Sequence, residues 1–198
     1  MTKSQKTTHH LTVAALLSAV AAVLQFVEFS IPVMPAFIKL DVSDLPALLG
    51  TFSLGPVYGV AIQLVKNLLH LPFGSSAGVG ELSNFLLGAV LSVAAGAIYK
   101  KHKTKRGALA AAVLSAVIMG LISVPVNYWI IYPLYYNVLG FPQAAVLDMY
   151  QAILPATKSI LQALFIFNLP FTVAKGLLCA ALCAGIYKPL SPLLHGRK

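Results

Sequence analysis

A bundle of six membrane-crossing helices is the fold this sequence predicts, and three observations carry it. Hydrophobic residues make up 59% of the 198 residues and charged residues only 10%, with a mean hydropathy of +0.85. A soluble domain carries about 25% charged residues, so the exterior of this chain has lipid as its solvent. Second, the apolar residues gather into runs of span length, at 11–29, 82–99, 108–131 and 169–187. Third, ten of the fourteen Lys and Arg residues fall into three clusters beside those runs: Lys3 and Lys6, "KKHKTKR" (100–106), and Lys188, Arg197 and Lys198. Such clusters mark the cytoplasmic face of a membrane protein.

The first run follows Lys3 and Lys6 but is longer than a signal-peptide core and is followed by Glu28 without a clear small-x-small cleavage site, so it reads as a retained span. The stretch 45–71 is too long for one span, and "LGPVYG" (54–59) interrupts it with a turn signal. Breaking it at Gly55-Pro56 yields two spans and puts all three basic clusters on one side. The second span, 43–54, is then too short to cross ~30 Å of hydrocarbon without shielding by its neighbours. Residues 146–167 carry Asp148, Pro155, Lys158 and Gln162, and read as a short amphipathic helix on the outer surface. The expected organisation is a single transmembrane domain over 1–198, with a cytoplasmic N-terminal segment at 1–10 and a cytoplasmic tail at 189–198. The expected location is a prokaryotic-type cell membrane, crossed several times.

Polar residues inside spans mark candidate sites, because lipid cannot satisfy them. In span three Gln63, Lys66, Asn67 and His70 share one helical face. Glu81 and Asn84 open span four, and Glu81 is positioned to neutralise Lys66. Span five ends at Asn127 and runs into Tyr128, Trp129, Tyr132, Tyr135 and Tyr136; the last two read as an interfacial belt. Span six opens with Asn168, Thr172 and Lys175 on one face, its outer end near Pro170. Together these stripes predict an outward-facing pocket with polar depth and aromatic walls. The loop "SIPVMPAFIKLDVSDLP" (30–46) fits as its lid, held extended by its prolines. In it Met34, Phe37, Ile38 and Leu40 supply apolar cover beside Lys39 and Asp41.

Other functions find less support. Cys179 and Cys183, four apart in one apolar run, read as small hydrophobes. There is no GxxxxGK(S/T), HExxH or CxxC pattern and no histidine cluster, so neither a catalytic set nor a metal site is expected. The charge of +9 is topological, and no nucleic-acid motif accompanies it. An intramembrane enzyme or a structural bundle is the remote alternative.

The segments "PAFIKLDVSDLPALLG", "QLVKNLLH", "GELSNFLLG", "NYWIIYPLY" and "LPFTVAKGLL" occur in order along residues 11–190. This chain resembles, through them, the riboflavin-specific substrate-binding (S) component of energy-coupling factor (ECF) vitamin transporters. The resemblance implies a six-helix S component with a flavin pocket in its outer half, capped by the first loop. It implies no prosthetic group, with riboflavin as the transported ligand. It also implies separate partners: a transmembrane coupling protein and two ATPase subunits. Carried over, the lid motif falls on Leu40 and Asp41, the span-five amide on Asn127, the span-six lysine on Lys175, and the Ala-x-x-x-Ala patch facing the coupling protein on Ala15 and Ala19. The family's span six often has Asn where this chain has Thr172, with Asn168 one turn outward as a substitute. The expected ligand set is thus Phe37, Lys39, Leu40, Asp41, Glu81, Asn84, Asn127, Tyr128, Asn168, Thr172 and Lys175. A different vitamin, or flavin mononucleotide (FMN), is the alternative ligand.

Overall fold

The structure is a computed structural model that describes residues 3–195, with side chains described over 4–186. The ends of the expected cytoplasmic segments, 1–2 and 196–198, lie outside the described residues. Helix α1 spans Lys3–Phe26, so the N-terminal segment is helical almost from its start. A two-residue antiparallel ladder follows, with β1 at Phe29–Ser30 pairing Phe29 to Leu40 and Ser30 to Lys39 in β2, Lys39–Leu40. The lid is therefore not extended. It folds back through two tight turns, closed by Met34 N–H to the Ile31 carbonyl and Ile38 N–H to the Pro35 carbonyl. Pro46 lies in the first turn of the next helix, where a missing N–H costs nothing.

Helices α2 (Asp44–Leu54) and α3 (Pro56–His70) form a hairpin about Gly55. Gly55 adopts φ 112°, a conformation open to glycine, and Pro56 starts α3. Asp44, at the start of α2, reaches Gln63 and Lys66 in the second half of α3, so the two helices run antiparallel. At 11 residues α2 spans about 16 Å. Asp44 through Phe52 are all buried, because α1, α3, α4 and α9 surround them. On α3 the usual amphipathicity is inverted: Gln63, Lys66, Asn67 and His70 face inward while Leu64, Val65, Leu68 and Leu69 face out. A lipid solvent dictates that arrangement.

Helix α4 (Val79–Lys101) turns through the basic segment into α5 (Lys105–Val126), capped by the Thr104 hydroxyl accepting from Gly107 N–H at 3.0 Å. A π-helical turn at Asn127–Ile131 joins α5 to α6 (Tyr132–Val138) in one rod. Helix α7 (Gln143–Gln151) follows, then α8 (Ile160–Ala163), a second π turn at Leu164–Asn168, and α9 (Leu169–His195). This corrects the expectation of one surface helix over 146–167. Only its first part is a separate helix; residues 160–167 belong to the last long rod, which starts ten residues before Pro170. Among the described residues, four rods are long and apolar enough to cross a membrane: Ser4–Phe26, Val79–Lys101, Lys105–Val138 and Ile160–Ile186.

Small residues set the closest helix approach. A Cβ on Gly120 of α5 would meet Val173 Cγ2 of α9 at 2.2 Å. One apolar cluster gathers Leu48, Phe52, Leu91, Ala116, Met119, Cys179 and Cys183 at one end of the bundle. Another gathers Met34, Tyr132, Tyr150, Leu164 and Phe167 at the other end. Along α9 the two are separated by Thr172 and Lys175, and the site lies at that level.

Candidate functional site

A cavity of about 230 Å³ opens between the ladder loop, the 74–81 turn and residues 139–141, and descends to α9. Its floor is a closed ring of charged and polar groups. Lys175 Nζ donates to Asp41 Oδ2 at 2.7 Å and lies 3.7 Å from Asp44 Oδ2. Asp44 Oδ1 accepts from Lys66 Nζ at 2.7 Å and from Gln63 Nε2 at 2.9 Å. Lys66 Nζ also donates to Ser43 Oγ at 2.6 Å, and Ser43 returns to Asp41 through its N–H at 2.8 Å. The ring contains two lysines and two aspartates and is electrically balanced. That balance permits deep burial, with only Lys175 partly exposed, since an isolated charge there is prohibitive. Burial alone would raise the Asp41 carboxyl; the ammonium groups of Lys175 and Lys66 outweigh it and hold the carboxyl below its ordinary value.

The walls differ. On one side Phe37 of the ladder loop packs against Tyr132, Tyr135 and Tyr150, at centroid distances of 5.5–6.4 Å. Tyr132 and Tyr150 share a hydrogen bond, and Tyr150 OH donates to Asn168 Oδ1 at 2.6 Å. Opposite, Glu81 joins His70 Nδ1 at 2.9 Å and accepts from Ser76 Oγ at 3.2 Å. Asn127 Nδ2 donates to the Ser123 carbonyl at 2.8 Å, while its Oδ1 lies 3.5 Å from Ser83 Oγ. Lys39 pairs with Glu28 at the rim. Aromatic faces on one side and amides and balanced charge at depth suit a flat, polar-edged small molecule.

Of the residues expected to contact a ligand, Phe37, Lys39, Asp41, Glu81, Asn84, Asn127, Asn168, Thr172 and Lys175 line this cavity. Leu40 and Tyr128 do not. Leu40 is held in the ladder opposite Phe29, and Tyr128 is 41% exposed on the outer face of its rod beside Trp129. The expected Lys66–Glu81 pair is replaced: Lys66 takes Asp44 and Glu81 takes His70. Tyr135, read as part of a belt, is buried and lines the cavity. Missed lining groups include Asp44, Gln25, Tyr132 and Phe171. Asp44 was concealed by Asp41, three residues earlier in a loop, whereas Gln25 carried a readable signal as a lone amide in an apolar span. Ala15 and Ala19 are exposed on α1, away from the cavity.

Comparison with known proteins identifies the family. The family model described as the ECF transporter, substrate-specific component, matches residues 9–190. The chain belongs to the ECF transporter S-component family. Among curated members, the riboflavin transporter RibU of Staphylococcus aureus (strain TCH60) is 32% identical over 181 residues, covering 91% of this chain and 89% of that protein. The riboflavin transporter FmnP of Bacillus subtilis (strain 168) is 28% identical over 191 residues, covering 95% of each. A solved structure of the S component of a bacterial ECF transporter superposes with a TM-score of 0.73 at 32% identity, covering 93% of this chain and 96% of that one. The chain is the substrate-specific component of a transporter and not an enzyme, and these curated relatives are named as transporters.

Proposed function

We propose that this S component captures riboflavin in the cavity from outside the cell and imports it together with an ATP-driven energy-coupling module. The carrying observation is the pairing of an aromatic wall, Phe37 with Tyr132 and Tyr135, with amides Asn84, Asn127 and Asn168 above a balanced ionic floor. The isoalloxazine ring takes the aromatic and aliphatic faces, and its edge and the ribityl hydroxyls take the amides, Thr172 and Lys175. Because Lys175 is already neutralised by Asp41 and Asp44, the site favours the uncharged vitamin over FMN. Riboflavin is cargo, and no prosthetic group takes part.

The chain crosses the membrane six times as one domain over 1–198, with both ends and the 100–106 turn in the cytoplasm. The antiparallel α2–α3 hairpin supplies two short crossings, packed against the rods of α1, α4 and α9. The ladder loop is the lid, and α7 lies outside. The exposed Ala15 and Ala19 meet a transmembrane coupling protein, which works with two ATPase subunits. The test is direct. The purified S component should be yellow or quench added riboflavin at one-to-one stoichiometry, and unlabelled riboflavin should compete better than FMN or other vitamins. Protein that leaves riboflavin fluorescence unchanged defeats the assignment.

A further inference from the structure

Helix α1 contributes one polar side chain to the cavity that the reading above does not use. Gln25 is 2% exposed, lines the cavity, and its Oε1 has no hydrogen-bond partner among the described residues. Its orientation follows from its neighbours. The Gln63 backbone carbonyl can only accept, so the Asn67 amide group that meets it at 2.8 Å is Nδ2. Asn67 therefore presents Oδ1 to Gln25, which must answer with Nε2, at 3.0 Å. The remaining atom of Gln25 is a buried carbonyl oxygen without a partner, on a side chain that lines the cavity. A buried acceptor without a partner is disfavoured unless something completes it.

We propose that Gln25 is a ligand contact, accepting a hydrogen bond from an N–H or O–H of the bound molecule. The proposal rests on the riboflavin reading, in which the candidate donors are the ring imide N–H and the ribityl hydroxyls. Asn67 is the positioning residue behind it. Gln25 and Ala19 are six residues apart, about 240° around the helix, so one rod joins the ligand to the face assigned to the coupling protein.

The experiment crosses the protein variant with ligand variants. Gln25→Leu is titrated with riboflavin, with 3-methylriboflavin (no ring N–H) and with lumiflavin (no ribityl hydroxyls). Riboflavin affinity should fall about tenfold, the size of one buried hydrogen bond. The same substitution should leave unchanged the affinity for whichever analogue lacks the donor. A merely structural glutamine would weaken all three ligands by one factor; that result, or no change for any, overturns the proposal. Should Gln25→Leu not fold, the unaltered chain labelled with ¹³C-glutamine answers by infrared difference spectroscopy. One side-chain carbonyl band must shift when riboflavin is added, and a spectrum without such a shift refutes the contact. Unaltered chain that binds no riboflavin defeats the flavin reading itself, an outcome distinct from riboflavin binding that ignores Gln25.

Discussion

Lys175 shows how a single charged residue organises the site. Lipid would penalise it by roughly 2.5–3.5 kcal/mol, and the protein instead gives it Asp41 at 2.7 Å and Asp44 at 3.7 Å. Removing one member of a buried pair costs about 3–5 kcal/mol, because the other charge is stranded. Lys175→Ala should therefore lower thermal stability as well as riboflavin binding. Lys175→Met combined with Asp41→Asn keeps the ring neutral and should recover most of the melting temperature while still binding riboflavin at least tenfold more weakly. Melting curves in detergent and fluorescence titration of both variants check this, and recovery of binding along with stability would refute a ligand role for Lys175. Acid acts on the same clamp in a defined direction. Burial opposes ionisation of Asp41, but its lysine neighbours win and its folded value lies below the ordinary 3.8. Its contribution is complete above that value and is lost only as pH falls through the lower folded one. Neutral and mildly acidic media leave the clamp closed. That Lys175 faces a site was legible from the sequence because an ammonium in a span needs a partner. The partner was less legible, since Asp44 arrives through the α2–α3 hairpin, 131 positions away in sequence.

At the level of elements, the two π turns place the amides. Each precedes a proline: Asn127–Ile131 comes before Pro133, and Leu164–Asn168 before Pro170. Proline has no N–H and its ring clashes with the carbonyl four residues earlier, here those of Trp129 and Ile166. The wider turn relieves that clash and shifts the register of everything beyond it; Asn127 opens the first turn and Asn168 closes the second, and both are buried on the cavity side. Pro170→Ala removes the reason for the bulge, and alanine is about 3 kcal/mol better than proline inside a helix. The expected outcome is unchanged or higher thermal stability with weaker riboflavin binding, measured on one preparation. A parallel loss of both would mean that the proline acts only on folding. The four long rods were readable from apolar runs because lipid demands such runs, but a π turn leaves no mark in hydropathy. The start of the last rod had a signal that went unread. In "SILQ", Ser159 Oγ accepts from Gln162 N–H at 3.2 Å and Gln162 Oε1 accepts from Lys158 N–H at 2.8 Å, a capping pattern ten residues before Pro170. Lys158 and Gln162 had instead suggested a surface helix.

For the whole molecule, the decisive question is which ends of the rods share a side. Hydropathy alone counts four long rods, and an even or odd number of crossings then turns on the stretch 45–71. Two features favour two crossings there: the hairpin that returns Lys66 to Asp44, and the basic clusters at 3–6 and 100–106, which two crossings would put on the same side. Reading that stretch as a single crossing would put the 100–106 cluster opposite the N-terminus, against the tendency of Lys and Arg to remain in the cytoplasm. The two arrangements predict opposite labelling. Lys103 and Ala156 are both exposed, the first in the basic turn and the second between α7 and α8. In a chain with Cys179 and Cys183 replaced by alanine, Ala156→Cys should react with a membrane-impermeant maleimide on intact cells. Lys103→Cys should react only after the cells are opened. Labelling of Lys103→Cys from outside would remove the α2–α3 hairpin as a double crossing. The cavity mouth would then need a new assignment, because the ladder loop and the 74–81 turn can cap an outward pocket only if both lie on the side opposite Lys103.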